Sequence, residues 1–116
     1  MNITQEILSD IVVYNKYAKY IPTKQRRETW EELVTRNKEM HQEKFPKLKE
    51  EIEDVYKLVY DKKVLPSMRS LQFAGKPIAI NNSRIFNCSF LPIDDWRSFS
   101  EVMFLLLSGC GVGYSV

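Results

Sequence analysis

The charged residues are distributed very unevenly along this sequence. Residues 1–63 contain 13 of the 17 lysines and arginines and 12 of the 15 aspartates and glutamates, whereas residues 64–116 contain all four glycines. A densely charged segment must keep most of its side chains in water, while a segment with few charges is suited to burial. The sequence therefore predicts a helical region with solvated faces over 1–63, followed by a mostly buried region over 64–116.

Composition limits the class of protein. A chain of 116 residues has room for one small domain, and its hydrophobic fraction of 44% favours a folded core over disorder. The net charge of +2 gives no argument for a nucleic acid or a membrane surface as partner. The longest apolar run, Val102 to Leu107, is far shorter than the ~20 residues that span a bilayer.

The two cysteines are too few for a disulfide-stapled scaffold, and the first residues lack the pattern of a signal peptide. We therefore expect a reducing, cytoplasmic setting, in a bacterium or a phage-infected host, with neither a nucleic acid nor a membrane as partner.

Three helices are predicted in the charged region. Apolar residues recur at helical spacing from Ile3, and this first segment continues until Pro22 ends it. The second helix begins at Thr29, because Thr29-Trp30-Glu31-Glu32 has the form of a capping box. The third runs from about Pro46 to the charged run at 61–63. One face of the second helix carries Trp30, Leu33, Val34, Asn37 and Met40.

Short extended pieces are predicted after residue 63, at 65–71, 77–80 and 85–91. The last piece is the best strand candidate, because Phe86, Cys88 and Phe90 point to one side and their neighbours to the other.

An apolar helix and a glycine-rich turn end the sequence. Asp94 or Asp95 is expected to cap a helix from about Trp96 to Leu107, which should be buried all round because it is apolar on nearly every side. The turn at 108–113 then leads into a short strand. Because this strand and helix would expose apolar surface and backbone donors, we expect the chain to be incomplete without a partner.

Taken singly, the candidate chemical groups have simple structural interpretations. The Gly109–Gly113 segment could bring backbone N–H groups close to a phosphate, or it could be a tight turn. Cys88 could be a small buried hydrophobe, and Cys110 is expected to be the more exposed of the two thiols. The thiols and the single histidine, His41, do not have the spacing of a metal site.

Taken together, several segments resemble the N-terminal region of ribonucleotide reductase large subunits. The resemblance covers nearly the whole chain and is greatest for the adenosylcobalamin-dependent class II enzymes, particularly the ribonucleoside triphosphate reductases. The segments are Tyr17-Ala18-Lys19-Tyr20-Ile21-Pro22, Glu28-Thr29-Trp30-Glu31-Glu32, Val55-Tyr56-Lys57-Leu58-Val59-Tyr60, Leu65-Pro66-Ser67-Met68-Arg69-Ser70-Leu71, Asn87-Cys88 and Gly109-Cys110-Gly111-Val112-Gly113-Tyr114-Ser115-Val116.

The resemblance implies an α+β fragment. Residues 1–63 would be the N-terminal helical region, and residues 64–116 would form the first strands and a buried helix of a ten-stranded α/β barrel. Another chain would complete that barrel.

The resemblance also implies residue roles. Cys88 matches the first cysteine of the redox pair, and Asn87 matches a residue that faces the substrate phosphates. Ser70 matches a small polar residue at the substrate phosphate and ribose, while Cys110 and Gly111 fall in the glycine loop beside the substrate. The family usually has Gly or Ala at the position of Cys110, so its thiol has no implied role. Asp95 lies where dimeric members bind an allosteric nucleotide.

The function implied is that of the N-terminal part of a split ribonucleotide reductase, inactive alone. Its partners would be a larger C-terminal reductase chain, a ribonucleoside di- or triphosphate and a thioredoxin-like reductant, with adenosylcobalamin bound mainly by the larger chain. A diiron or dimanganese class I enzyme is an alternative for the radical cofactor. The alternative from another class is a non-catalytic interaction or regulatory module derived from a reductase. A third possibility is a fragment of a normal single-chain reductase.

Overall fold

The computed structural model describes residues 2–116, which form two compact units. The first unit ends at Gly75 and the second runs from Lys76 to Val116. The helices are α1 (Ile3–Lys16), α2 (Trp30–Lys44), α3 (Lys49–Tyr60), α4 (Met68–Phe73), α5 (Lys76–Ile80) and α6 (Arg97–Leu107). The strands are β1 (Tyr20–Ile21), β2 (Arg26–Arg27), β3 (Cys88–Pro92) and β4 (Gly111–Ser115). Short 3₁₀ turns occupy Pro22–Lys24, Pro46–Leu48 and Asn82–Ile85.

Helix α1 is shorter than the sequence predicts. The Asn2 side chain caps its start by accepting the Thr4 N–H at 3.3 Å, and the helix ends at Lys16. The predicted continuation to Pro22 is wrong, because β1 pairs with β2 in a small antiparallel hairpin around Pro22. The β1–β2 pairing uses backbone N–H and C=O groups that would otherwise form the hydrogen bonds of a longer helix.

Helix α2 begins as predicted, with both hydrogen bonds of the capping box at Thr29. The predicted third helix is also confirmed, as a 3₁₀ turn at Pro46–Leu48 followed by α3. Two apolar clusters form the core of the first unit. One cluster contains Val13, Leu33 and Leu71, and the other contains Val34, Tyr56 and Val59.

Two of the predicted extended pieces are helical instead. Within 65–71, the Ser67 hydroxyl accepts the Ser70 N–H and starts α4, which places Leu71 in the core with no exposed surface. Within 77–80, the proline stands in the first turn of α5, where its missing N–H costs nothing. The first unit therefore extends beyond the charged residues and includes α4.

The second unit is built on a strand, a helix and a parallel strand. β3 pairs with β4 in the register Cys88↔Gly111 to Pro92↔Ser115, and α6 connects the two strands. The predicted burial of the helix on all sides is wrong for the described residues, since the Phe99 and Leu107 side chains are 67% and 81% exposed. A sheet of two strands offers α6 only one surface to pack against.

The architecture is thus a small, mostly helical α+β fold with short strands. The ten-stranded barrel stays a prediction. None of the helices within residues 2–116 is both long and apolar enough to cross a membrane.

Candidate functional site

One face of the β3–β4 sheet carries the Cys88 thiol beside two glycines, whose backbone is not covered by a side chain of their own. Cys88 pairs with Gly111 and Phe90 pairs with Gly113, so these four residues share a face. Their partners on the other face include Ser89, Leu91 and Val112, which are half-buried. We call the surface formed by Cys88, Phe90, Gly111 and Gly113 the open face.

Cys88 is the first residue of β3, and its side chain is exposed. The simple interpretation of Cys88 as a buried hydrophobe is therefore wrong for the described residues. An exposed thiol on a strand is accessible to a second thiol or to a substrate, as a redox cysteine must be.

Cys110 is the buried thiol, contrary to the sequence expectation. Its side chain is only 2% exposed, and its Sγ lies 3.4 Å from the Ser89 Oγ. Because Ser89 and Cys88 point to opposite faces of β3, the two cysteines are separated by the sheet. Both thiols are free, and Cys110 is not placed to form a disulfide with Cys88.

The glycine loop turns the chain from α6 into β4. Gly109 has a φ of +86°, a conformation that favours glycine, and the Cys110 N–H donates to the Leu105 carbonyl at 3.0 Å. The interpretation of this segment as a tight turn is thus confirmed for its first residues.

Gly111 has a different environment. Its N–H donates to the Asn87 carbonyl at 2.8 Å, and an added Cβ would lie 3.6 Å from that oxygen, an ordinary van der Waals distance. The packing of the described residues therefore does not require a glycine here. A glycine at this position leaves the backbone open to a close approach from the open face.

The candidate residues divide between the two units. Asn87, Cys88, Cys110 and Gly111 lie together where β3 and β4 begin. Asp95 follows the other end of β3, where its carboxylate accepts the Arg97 N–H at 3.0 Å. The N-cap of α6 is Trp96, which makes no side-chain cap, so Asp95 bonds to the first turn from one position before the N-cap. Its effector role stays a prediction.

Ser70 belongs to the first unit and is 6% exposed. Its hydroxyl accepts a hydrogen bond from the Asn37 side-chain amide at 2.8 Å, and the Tyr56 hydroxyl donates to the Asn37 carbonyl oxygen. Burial raises the pKa of Tyr56 to about 12, so the phenol keeps its proton at neutral pH. Sequence reasoning missed this cluster, and the available signal was the amide of Asn37 on the apolar face of α2.

A second buried polar cluster fixes the chain after α4. The Glu28 carboxylate accepts bonds from Arg36 at 2.7 and 2.8 Å and from the Lys19 N–H at 3.0 Å. Arg36 and the Lys19 ammonium both donate to the Ala74 carbonyl, at 2.9 and 2.8 Å. Burial opposes ionisation of Glu28, but these donors outweigh it and hold the pKa of the carboxyl below its ordinary value.

The basic residues near β2 are engaged in ion pairs. Lys24 and Arg26 both bind the Glu32 carboxylate, and their hydrogen bonds hold the pKa of that carboxyl well below its usual range. Arg27 donates to the Ala18 carbonyl at 3.1 Å. These residues do not form a free phosphate site.

Metal ligands and surface cavities are the remaining candidate features of the described residues. Residues 2–116 contain no cluster of three histidine, cysteine or acidic side chains that could hold a metal ion. His41 is half-buried beside the Tyr56 ring, and this burial lowers its pKa. A surface cavity of about 550 Å³ in the first unit is lined largely by charged groups, and another of about 410 Å³ is lined mainly by apolar side chains such as Leu8 and Trp30.

Comparison with known proteins identifies a structural relative. The chain is similar to the solved structure of a B12-dependent (class II) ribonucleotide reductase, with a TM-score of 0.77 and 27% identity. The similarity covers 90% of this chain and 19% of the reductase chain, so this chain spans about a fifth of that relative's length. No protein-family model and no curated protein matches the chain. The resemblance to class II ribonucleotide reductases is thereby confirmed.

Proposed function

We propose that this chain is the N-terminal part of a split ribonucleotide reductase, completed by a larger C-terminal reductase chain. The structural similarity to a class II reductase carries this proposal, because it extends over 90% of the chain. The chain spans only 19% of that relative, so most of the catalytic machinery has to come from the larger chain. On this proposal the chain is inactive by itself.

Cys88 supplies one of the two reducing thiols. In the overall reaction the 2′ hydroxyl of the ribose leaves as water and a hydrogen takes its place. Cys88 and a cysteine of the larger chain each lose a hydrogen and join as a disulfide, so that two electrons and two protons are accounted for. The exposure of Cys88 on the open face supports this role. A thioredoxin-like dithiol then reduces the disulfide for the next turnover.

The substrate phosphates bind to neutral donors. Asn87 and the backbone at Gly111 lie beside Cys88 in the second unit. The family resemblance also assigns Ser70, in the first unit, to the substrate. Backbone and side-chain donors bind phosphate without a cluster of basic residues, which agrees with the net charge of only +2. The substrate is a ribonucleoside di- or triphosphate.

We assign adenosylcobalamin mainly to the larger chain, as the resemblance to class II reductases implies. This cofactor supplies the radical that starts the reaction. The similarity to a B12-dependent enzyme favours class II over a diiron or dimanganese class I enzyme.

The test is reconstitution of reductase activity from two chains. This chain is mixed with the larger chain, adenosylcobalamin, a dithiol and a ribonucleoside di- or triphosphate, and the deoxyribonucleotide is quantified. Neither chain alone should form product, whereas the mixture should.

Two cysteine variants assign the thiol. Cys88→Ser should abolish turnover, while the matched control Cys110→Ser should retain it, because Cys110 lies buried on the other face of the sheet. Normal turnover by the Cys88→Ser mixture would refute the redox role. If the larger chain were fully active alone and this chain only changed its rate, the regulatory alternative would hold instead.

A further inference from the structure

The first unit contains a buried chain of three hydrogen-bonding side chains. Tyr56, Asn37 and Ser70 are 7%, 0% and 6% exposed, and they come from α3, α2 and α4. The Tyr56 hydroxyl donates to the amide oxygen of Asn37, and the amide nitrogen donates to the Ser70 hydroxyl at 2.8 Å. We call these three residues the relay.

The relay ends on a proton that has no acceptor. Thr35 in α2 and Ser108 at the end of α6 each donate to the carbonyl four residues earlier, at 2.7 and 2.9 Å, and the Ser98 hydroxyl donates to the Asp94 carboxylate at 3.5 Å. Ser70 makes no such bond: its oxygen is satisfied by the Asn37 amide, but its hydroxyl donates no hydrogen bond to any of residues 2–116. A buried donor without an acceptor costs free energy, so this proton calls for a partner from outside the described residues.

The direction of the relay is fixed at the Tyr56 end. If the Asn37 amide were reversed, Ser70 would donate to it and the Tyr56 proton would be left over. Tyr56 packs against Val34 and Val59 with His41 beside its ring, and its hydroxyl donates only to Asn37 among the described residues, so that proton would lose its acceptor. The observed direction therefore places the surplus donor at Ser70.

We propose that Tyr56 and Asn37 are positioning residues, which hold the Ser70 hydroxyl as a donor to an anionic phosphate oxygen of the ribonucleotide. This inference rests on the proposed function, in which Ser70 contacts the substrate. It adds that substrate affinity depends on two residues that do not touch the substrate.

Tyr56→Phe is the decisive variant. Without the phenol, reversal of the Asn37 amide lets its oxygen accept the Ser70 proton and turns its N–H₂ group towards the ring at position 56. The hydroxyl of Ser70 is then no longer a donor to phosphate. Tyr60→Phe is the matched control, because it removes a hydroxyl from the same helix that bonds to Thr35 and not to the relay.

The experiment measures KM and kcat of the two-chain complex with a ribonucleoside triphosphate and a diphosphate. Ser70→Ala and Tyr56→Phe should each raise KM by roughly tenfold to a hundredfold, as expected for a lost hydrogen bond to a charged group, with little change in kcat. The double variant should be no worse than Ser70→Ala alone, and Tyr60→Phe should leave KM unchanged. A KM for Tyr56→Phe equal to that of Tyr60→Phe, or additive effects in the double variant, would overturn the proposal.

A second measurement separates this inference from the proposed function. The side-chain amide signals of Asn37 are followed by NMR in this chain alone while inorganic triphosphate is added. The signals should shift in the wild-type chain and in Tyr60→Phe, and not in Tyr56→Phe or Ser70→Ala. A shift of the Asn37 amide signals without reductase activity in the complex would refute the proposed function but support the relay. No shift of these signals in the wild-type chain would refute the relay.

Discussion

Replacing Glu28 by glutamine should destabilise the first unit strongly. The Glu28 side chain is only 8% exposed, and it accepts two hydrogen bonds from Arg36 and one from the Lys19 N–H. The substitution keeps the volume but removes the charge and places an amide N–H₂ group against one of these donors. It leaves the Arg36 guanidinium without its counter-charge in a mostly buried position.

Breaking a buried ion pair by changing one partner costs about 3–5 kcal/mol. Glutamine keeps one acceptor oxygen, so we expect a loss at the lower end of this range, about 3 kcal/mol. For a unit of this size, 1 kcal/mol corresponds to roughly 4–8 °C, so Tm should fall by about 12–24 °C. Urea unfolding followed by far-UV circular dichroism should show a lower midpoint with an unchanged slope.

Glu53→Gln is the matched control. Glu53 also binds a lysine, Lys38 at 2.9 Å, but its side chain is 49% exposed. Exposed ion pairs contribute less than about 1 kcal/mol, so the control should unfold nearly as the wild type does. Equal midpoints for Glu28→Gln and Glu53→Gln would refute the reasoning that burial makes the Glu28 ion pair important.

Three further predictions concern acid stability, the core and the thiols. The folded pKa of Glu28 lies below its ordinary value of 4.5, so its contribution is fully present above that value and is lost as the pH falls through the folded pKa. As the pH falls through this range, the free energy of unfolding should therefore decrease more steeply for the wild type than for Glu28→Gln. Parallel plots of unfolding free energy against pH would contradict this. Leu71→Ala should lower the free energy of unfolding by about 2–5 kcal/mol in urea, because Leu71 has no exposed surface; a loss below ~1 kcal/mol would argue against α4 as a core helix. A thiol reagent should modify Cys88 rapidly in the native chain and Cys110 only on unfolding. Equal modification rates for the two thiols would contradict the burial of Cys110.

The sequence predicts those parts of the fold that depend on local signals. The capping box at Thr29 starts a helix through bonds among four consecutive residues, and the structure contains both of them. The strand–helix–strand order of the second unit also follows from local pattern, with β3 and β4 on either side of α6.

Tertiary packing decides the parts that the sequence does not predict. Residues 65–71 have a proline and few helix signals, but burial of Leu71 in the core favours α4 over an extended strand. Cys110 stands between glycines, which suggested exposure, yet its Sγ lies 3.4 Å from the Ser89 Oγ and its side chain is buried. The relay joins residues 33 positions apart, Asn37 and Ser70, and local pattern does not contain such a pairing.

A single-turnover experiment tests most directly whether Cys88 is a redox cysteine. The two-chain complex is reduced, freed of dithiol and given substrate and adenosylcobalamin, after which free thiols are alkylated and the peptides are mapped by mass spectrometry. The account predicts about one deoxyribonucleotide per complex, with Cys88 in a disulfide to a cysteine of the larger chain and Cys110 alkylated only after unfolding. Product formation with Cys88 still a free, alkylated thiol would contradict it.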